Sequence, residues 1–159
     1  MPSSLREEIH KKSGFESPQQ EAALNVVRTA AVLSAGFERL FKGHGLSMAT
    51  YNVLRILRGA GQPGRMCHEI AQHMVTRVPD VTRLVDRLEQ AGLASRERCT
   101  KDRRIVYVRL TDAGRDLLTR LDRPVLELHE SQLGHMSAPE LEQVNELMVR
   151  ARHPNASTA

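Results

Sequence analysis

Aromatic side chains are scarce in this chain of 159 residues: three Phe, two Tyr and no Trp. A platform that stacks single-stranded bases needs exposed rings, so none is expected. Duplex recognition works through groove edges and phosphates and is untouched by that shortage. Cysteine is nearly absent too, with Cys67 and Cys99 far apart and no CxxC spacing. No apolar run approaches the ~20 residues that span a bilayer, and no signal peptide is recognisable. Together these absences predict a reduced, soluble, cytoplasmic protein without a membrane partner.

Catalytic and metal-binding patterns are missing as well. No nucleophile, base and acid share a motif, so no enzyme is expected. Gly59-Ala60-Gly61-Gln62-Pro63-Gly64 does spell GxGxxG. A dinucleotide site needs a strand before that loop and βαβ alternation around it. Here the preceding segment has helical spacing and Pro63 interrupts the loop, so the glycines read as a helix end and a turn. The histidines (His10, His44, His68, His73, His129, His135, His153) are dispersed. Cys67-His68 with His73 is the one local cluster, without an HxxxH pair. No cofactor and no metal are expected.

The length suits one well-buried core. The formal net charge is only +4, but its distribution is uneven. Residues 65–109 carry ten Lys/Arg against six Asp/Glu, so the whole excess lies in that segment. Such a concentration is the electrostatic footprint of a nucleic-acid contact.

Spacing predicts helices almost throughout. Residues 1–16 are polar and expected to fray, although Leu5 and Ile9 suit a short helix. Ser17-Pro18-Gln19-Gln20 forms a helix start with a capping-box arrangement. The helix carries Leu24, Val27, Phe37 and Phe41 to Gly43 and is apolar on more than one stripe, which a partner subunit could cover. A second helix starts at Ser47 and a third covers about Cys67 to Met74. After the turn Val75-Thr76-Arg77, a fourth is expected with Thr76 as its cap and Pro79 in its first turn. Ala94–Cys99 and Val106–Leu110 read as a two-stranded ribbon. Thr111 should cap the next helix, with Pro124 kinking or interrupting it near Arg123. Ser137-Ala138-Pro139-Glu140 opens the last helix, and the chain from His153 is a loose tail.

A helix–turn–helix followed by a charged hairpin is a shape for reading duplex DNA, one helix in the major groove and the hairpin at a flanking phosphate track or minor groove. On the fourth helix Arg77, Asp80, Thr82 and Arg83 lie where base edges are met, with Thr76 beside them. Arg87 suits the DNA backbone or an ion pair with Asp86 or Glu89. Arg96, Arg98, Lys101 and Arg103 are candidates for phosphate contacts. Asp102 is placed to brace the Arg104 guanidinium as it enters a minor groove.

The run Pro79-Asp80-Val81-Thr82-Arg83-Leu84-Val85-Asp86-Arg87-Leu88-Glu89, followed by Gly92-Leu93, Asp102-Arg103-Arg104 and Leu110-Thr111-Asp112-Ala113-Gly114, resembles the MarR family of transcriptional regulators. The resemblance implies a mainly α fold with a small β-hairpin wing. Residues 1–16 would be a flexible segment and 17–152 a single domain, with a tail at 153–159. Within the domain, 46–112 would form the winged helix–turn–helix lobe, and 17–43 and 113–152 the dimerisation helices. It further implies a homodimeric repressor on a pseudo-palindromic double-stranded DNA operator, released by a small-molecule effector. Phe37, Phe41, His44, Tyr51 and Arg55 combine aromatic walls with polar groups and are the candidate effector pocket. Two alternatives remain: a thiol- or metal-responsive regulator on the same fold, with Cys99 beside Arg98, and a winged helix that binds protein.

Overall fold

Residues 4–153 are described by the computed structural model, and residues 1–3 and 154–159, most of the expected tail, lie outside it. The described chain is mainly helical with one antiparallel hairpin: α1 (Leu5–Glu8), α2 (Pro18–Lys42), α3 (Met48–Ala60), α4 (Cys67–His73), α5 (Val81–Gln90), β1 (Ala94–Arg98), β2 (Val106–Leu110), α6 (Asp112–Leu133) and α7 (Ala138–Arg152). The chain divides within α6 into two compact units, one up to Leu121 and one from Asp122.

Local signals explain most boundaries. Ser17 accepts the Gln20 N–H at 3.1 Å and so caps α2, while the Gln20 side chain reaches past it to the Glu16 N–H. Ser47 and Thr50 exchange backbone and side-chain bonds in a capping box at α3. One turn, α1, forms in the segment expected to fray; its Ser4 cap and the burial of Leu5 hold it, and Glu8 pairs with Arg28 of α2 at 3.3 Å.

The first unit closes around apolar side chains from six elements: Phe41 (α2), Leu54 (α3), Ile70 (α4), Leu88 (α5), Val108 (β2) and Leu118 (α6) are among those fully buried. Each such burial contributes about 1.5–3 kcal/mol relative to exposure. The hairpin pairs Ala94 with Leu110 and Arg98 with Val106 at its two ends. Arg65 adds a single bridge on the other side of β2, donating to the Val108 carbonyl at 3.0 Å and accepting its N–H at 2.7 Å.

One expectation is corrected and another narrowed. The fourth helix of the reading, now α5, starts at Val81 rather than near Thr76, and its cap is Asp80, whose Oδ1 accepts the Arg83 N–H at 3.1 Å. Proline at 79 disfavours helical torsions at the residue before it, and that residue is the β-branched Val78. A helix begun at Thr76 would have to pass through it. Pro124 does not interrupt α6, which runs on to Leu133. A helix-interior proline removes one backbone hydrogen bond, and the rest of a 22-residue helix carries that loss here.

Candidate nucleic-acid interface

One group of exposed cations in the first unit lies on α5, on the loop before it and on the hairpin. Thr82, Arg83 and Arg87 are exposed on α5, and Thr76 and Arg77 are exposed in the α4–α5 connection. Asp80 is spent on capping, its carboxylate taking the Arg83 N–H, which aligns the first turn of α5 and sets Thr82 and Arg83 at the helix N-terminus. That end of a helix carries partial positive charge and favours anions. The connection itself is held by a contact no sequence pattern announces: Asn52 of α3 accepts the Val75 N–H at 2.9 Å.

The hairpin tip is a hydrogen-bonded turn. Cys99 N–H donates to Ile105 O at 2.9 Å, Ile105 N–H to Asp102 O at 3.0 Å, and Arg104 N–H to Asp102 Oδ1 at 2.9 Å. The last of these is an Asx turn, in which a carboxylate imitates a backbone acceptor two residues on. Asp102 thus braces the Arg104 main chain, where the sequence suggested its guanidinium. Arg98, Lys101, Arg103 and Arg104 all remain exposed around this tip.

Arg96 departs from the expected phosphate role. Its guanidinium meets Asp86 Oδ1 and Glu89 Oε2 of α5, each at 2.6 Å, and reaches the Thr82 carbonyl at 3.4 Å. Its backbone N–H also donates to Glu89 Oε1 at 3.2 Å. Burial opposes the charge, but the hydrogen bonds to Asp86 and Glu89 outweigh it and lift the guanidinium pKa above its ordinary value. Asp86 and Glu89, the partners suggested for Arg87, are therefore taken by the strand. On the other strand Arg109 pairs with Glu97 at 2.5 Å and donates to the Pro63 carbonyl at 2.8 Å.

The base of the hairpin is locked to α6. Thr111 Oγ1 donates to Gly92 O at 2.7 Å and accepts the Gly114 N–H at 3.1 Å, while the Thr111 N–H donates to Leu93 O. A Cβ on Gly114 would collide with the Leu93 carbonyl oxygen and lie 2.7 Å from Leu110 Cδ1. The Leu-Thr-Asp-Ala-Gly run is thus a tightly bonded corner in which only glycine fits its last position.

The candidate pocket residues separate. Phe37 and Phe41 are buried, Tyr51 stacks on Phe41 with centroids 4.1 Å apart, and His44 and Arg55 are exposed. A different depression, of about 280 Å³, lies between Gly45–Ser47 and the end of α5, lined by Thr50, Arg87, Leu88 and Leu93 among others. Among the described residues no group of three or more His, Cys, Asp and Glu is placed to hold a metal ion, and both cysteines are unbridged and half-buried. No helix of the described residues is long and apolar enough to cross a membrane.

The family model for MarR matches residues 46–106, which spans α3 to the hairpin. A MarR transcription factor from Planctomyces limnophilus, known from its crystal structure, is 44% identical over 85% of this chain and 98% of its own, with a TM-score of 0.66. The chain belongs to the MarR family. Two more distant structures share the fold. Sco3205 of Streptomyces coelicolor, a MarR-family regulator solved in complex with DNA, is 20% identical over 93% of this chain and 94% of its own (TM-score 0.76). BpsR of Bordetella bronchiseptica is 21% identical over 83% and 98% (TM-score 0.72). As a MarR-family chain, the protein falls among transcriptional regulators, and the winged helix–turn–helix is the lobe that the family model covers.

Proposed function

We propose that this MarR-family protein is a sequence-specific reader of double-stranded DNA, acting as a homodimeric repressor that a small molecule releases. The observation that carries the reading is the pairing of two exposed basic elements within one compact unit. The N-terminal half of α5 offers Thr82 and Arg83, with Thr76 and Arg77 before it, and the hairpin tip offers Arg98, Lys101, Arg103 and Arg104. Arginine bonds guanine O6 and N7 bidentately in the major groove. A narrow minor groove concentrates negative potential and draws an inserted arginine, the part given to Arg104. The remaining cations position the lobe on phosphates.

Three further points support the finer statements. Sco3205 was solved in complex with DNA, and the regulation of DNA binding by BpsR involves 6-hydroxynicotinic acid. On α2, Leu24, Val26, Val27 and Val32 are exposed, and on α7 Val144, Leu147 and Val149 are exposed. Apolar helix faces of this kind call for a partner surface, and a second copy of the chain supplies it. Phe37, Phe41, His44, Tyr51 and Arg55 remain the proposed effector set, the inner aromatic pair giving the wall and the outer residues the polar contacts.

Selection of a random duplex library by the purified protein, followed by sequencing, tests the reading. Recovery of a pseudo-palindrome with half-sites roughly one helical turn apart is expected. Recovery of no motif after ligand-free refolding refutes it.

A further inference from the structure

We propose that Arg96 is a positioning residue that fixes the hairpin against the recognition helix, so that major-groove and minor-groove contacts are made in one set relation. The inference rests on the DNA-reading function and adds a residue role to it. Arg96 lies on β1, and its guanidinium bonds reach across to α5. Two guanidinium nitrogens take two carboxylates at 2.6 Å each, a third contact goes to the Thr82 carbonyl, and its main-chain N–H takes Glu89. A planar fork held by two carboxylates fixes direction as well as distance.

The charges strengthen the argument. Asp86 and Glu89 are acids on the helix that faces DNA, and unpaired they would repel the phosphates that Arg83 and the hairpin attract. A DNA reader gains nothing electrostatic from keeping two of them there. An exposed ion pair also adds little to stability, and these carboxylates are 48% and 43% exposed. What the pair does supply is orientation, because Arg96 sits two residues before Arg98 and the basic tip that follows.

The test neutralises the acids while keeping their shape. In the full chain, Asp86→Asn with Glu89→Gln removes two negative charges beside the DNA, so simple electrostatics predicts tighter binding throughout. Positioning predicts a split: affinity for scrambled duplex holds or rises, while preference for the operator's flanking, hairpin-facing base pairs falls roughly fivefold. Arg96→Lys, which keeps a charge for the carboxylates, retains part of that preference. In free protein the Ser95–Arg98 amides exchange hydrogen faster in the double variant. Tighter binding with flanking preference intact overturns the proposal. So does Arg96→Met if it lowers the salt slope by about 0.9, one phosphate's worth, and leaves preference unchanged. If the parent protein recovers no operator, the DNA reading itself fails, and the exchange measurement still decides whether Arg96 orders the hairpin.

Discussion

Replacing Gly114 with alanine reverses the usual sign of a helix substitution. Glycine in a helix costs ~1 kcal/mol relative to alanine, and Gly114 is the third residue of α6. By propensity alone Gly114→Ala would stabilise. The added methyl, however, would collide with the Leu93 carbonyl oxygen, lie 2.7 Å from Leu110 Cδ1 and 3.2 Å from the Leu93 carbonyl carbon. Leucine 110 can turn aside, but the peptide of Leu93 cannot, because its oxygen receives the Thr111 N–H and the neighbouring Gly92 carbonyl receives the Thr111 hydroxyl. Overpacking of this kind costs about 1–3 kcal/mol, and displacing the carbonyl loses a hydrogen bond worth about 1 kcal/mol. Net of the propensity gain, Gly114→Ala should destabilise by about 1–3 kcal/mol. Gly59→Ala is the matched control, since that α3 position has nothing within 4 Å of an added Cβ. It should stabilise by up to ~1 kcal/mol. Urea unfolding of both variants reads the two signs. A Gly114→Ala protein as stable as the parent would refute the packing argument for the corner.

Other substitutions test the interface and its frame. Arg83→Ala should relax one base position and cost about 1–3 kcal/mol of discrimination there, measured by competition with single-base operator variants. Arg104→Ala should weaken binding mainly through flanking positions and reduce the salt slope by about 0.9. Val27→Asp places a charge on an α2 residue that is 66% exposed in the single chain; folding should survive while sedimentation shifts from dimer to monomer. At α7, Ser137 donates two hydrogen bonds to Glu140 and holds its carboxyl below the ordinary range. A depressed carboxylate pKa contributes stability above its unfolded value, about 4.3, and loses it as pH falls through the folded value. The Ser137 amide should therefore stay protected at neutral pH and lose protection only in acid, as a proton-resolved NMR titration would record.

Element order and most helix starts were legible in the sequence because they depend on residues a few positions apart. Ser17, Ser47 and Ser137 announce caps by their own chemistry and that of the residue three further on. The second strand showed as the period-two Val106, Val108 and Leu110, of which Val108 is fully buried. What could not be read depends on partners distant in the chain. Arg96 looked like a phosphate ligand because nothing local marks Asp86 and Glu89 as its partners ten and seven residues earlier. The Asn52 contact with Val75 spans 23 positions. The stacking of Phe41 on Tyr51 joins α2 to α3, and no local pattern announces it.

Asp80 carries two readings that one pair of variants separates. The sequence places it among groups facing base edges, where a carboxylate can accept from cytosine N4. The structure makes it the cap of α5, bonded to the Arg83 N–H. Asparagine caps about as well as aspartate, whereas alanine costs ~1 kcal/mol. If capping is the whole role, Asp80→Asn keeps both stability and base preference, and loss of a negative charge near phosphate tightens binding modestly. Asp80→Ala then loses stability and blurs preference at every position read from the first turn, because Thr82 and Arg83 are aimed by that turn. If Asp80 reads a base, Asp80→Asn alone changes preference at one position, since an amide presents a donor as well as an acceptor. Stability measured beside operator competition for both variants decides the matter, and a single-position switch in the Asn variant would refute the capping-only account.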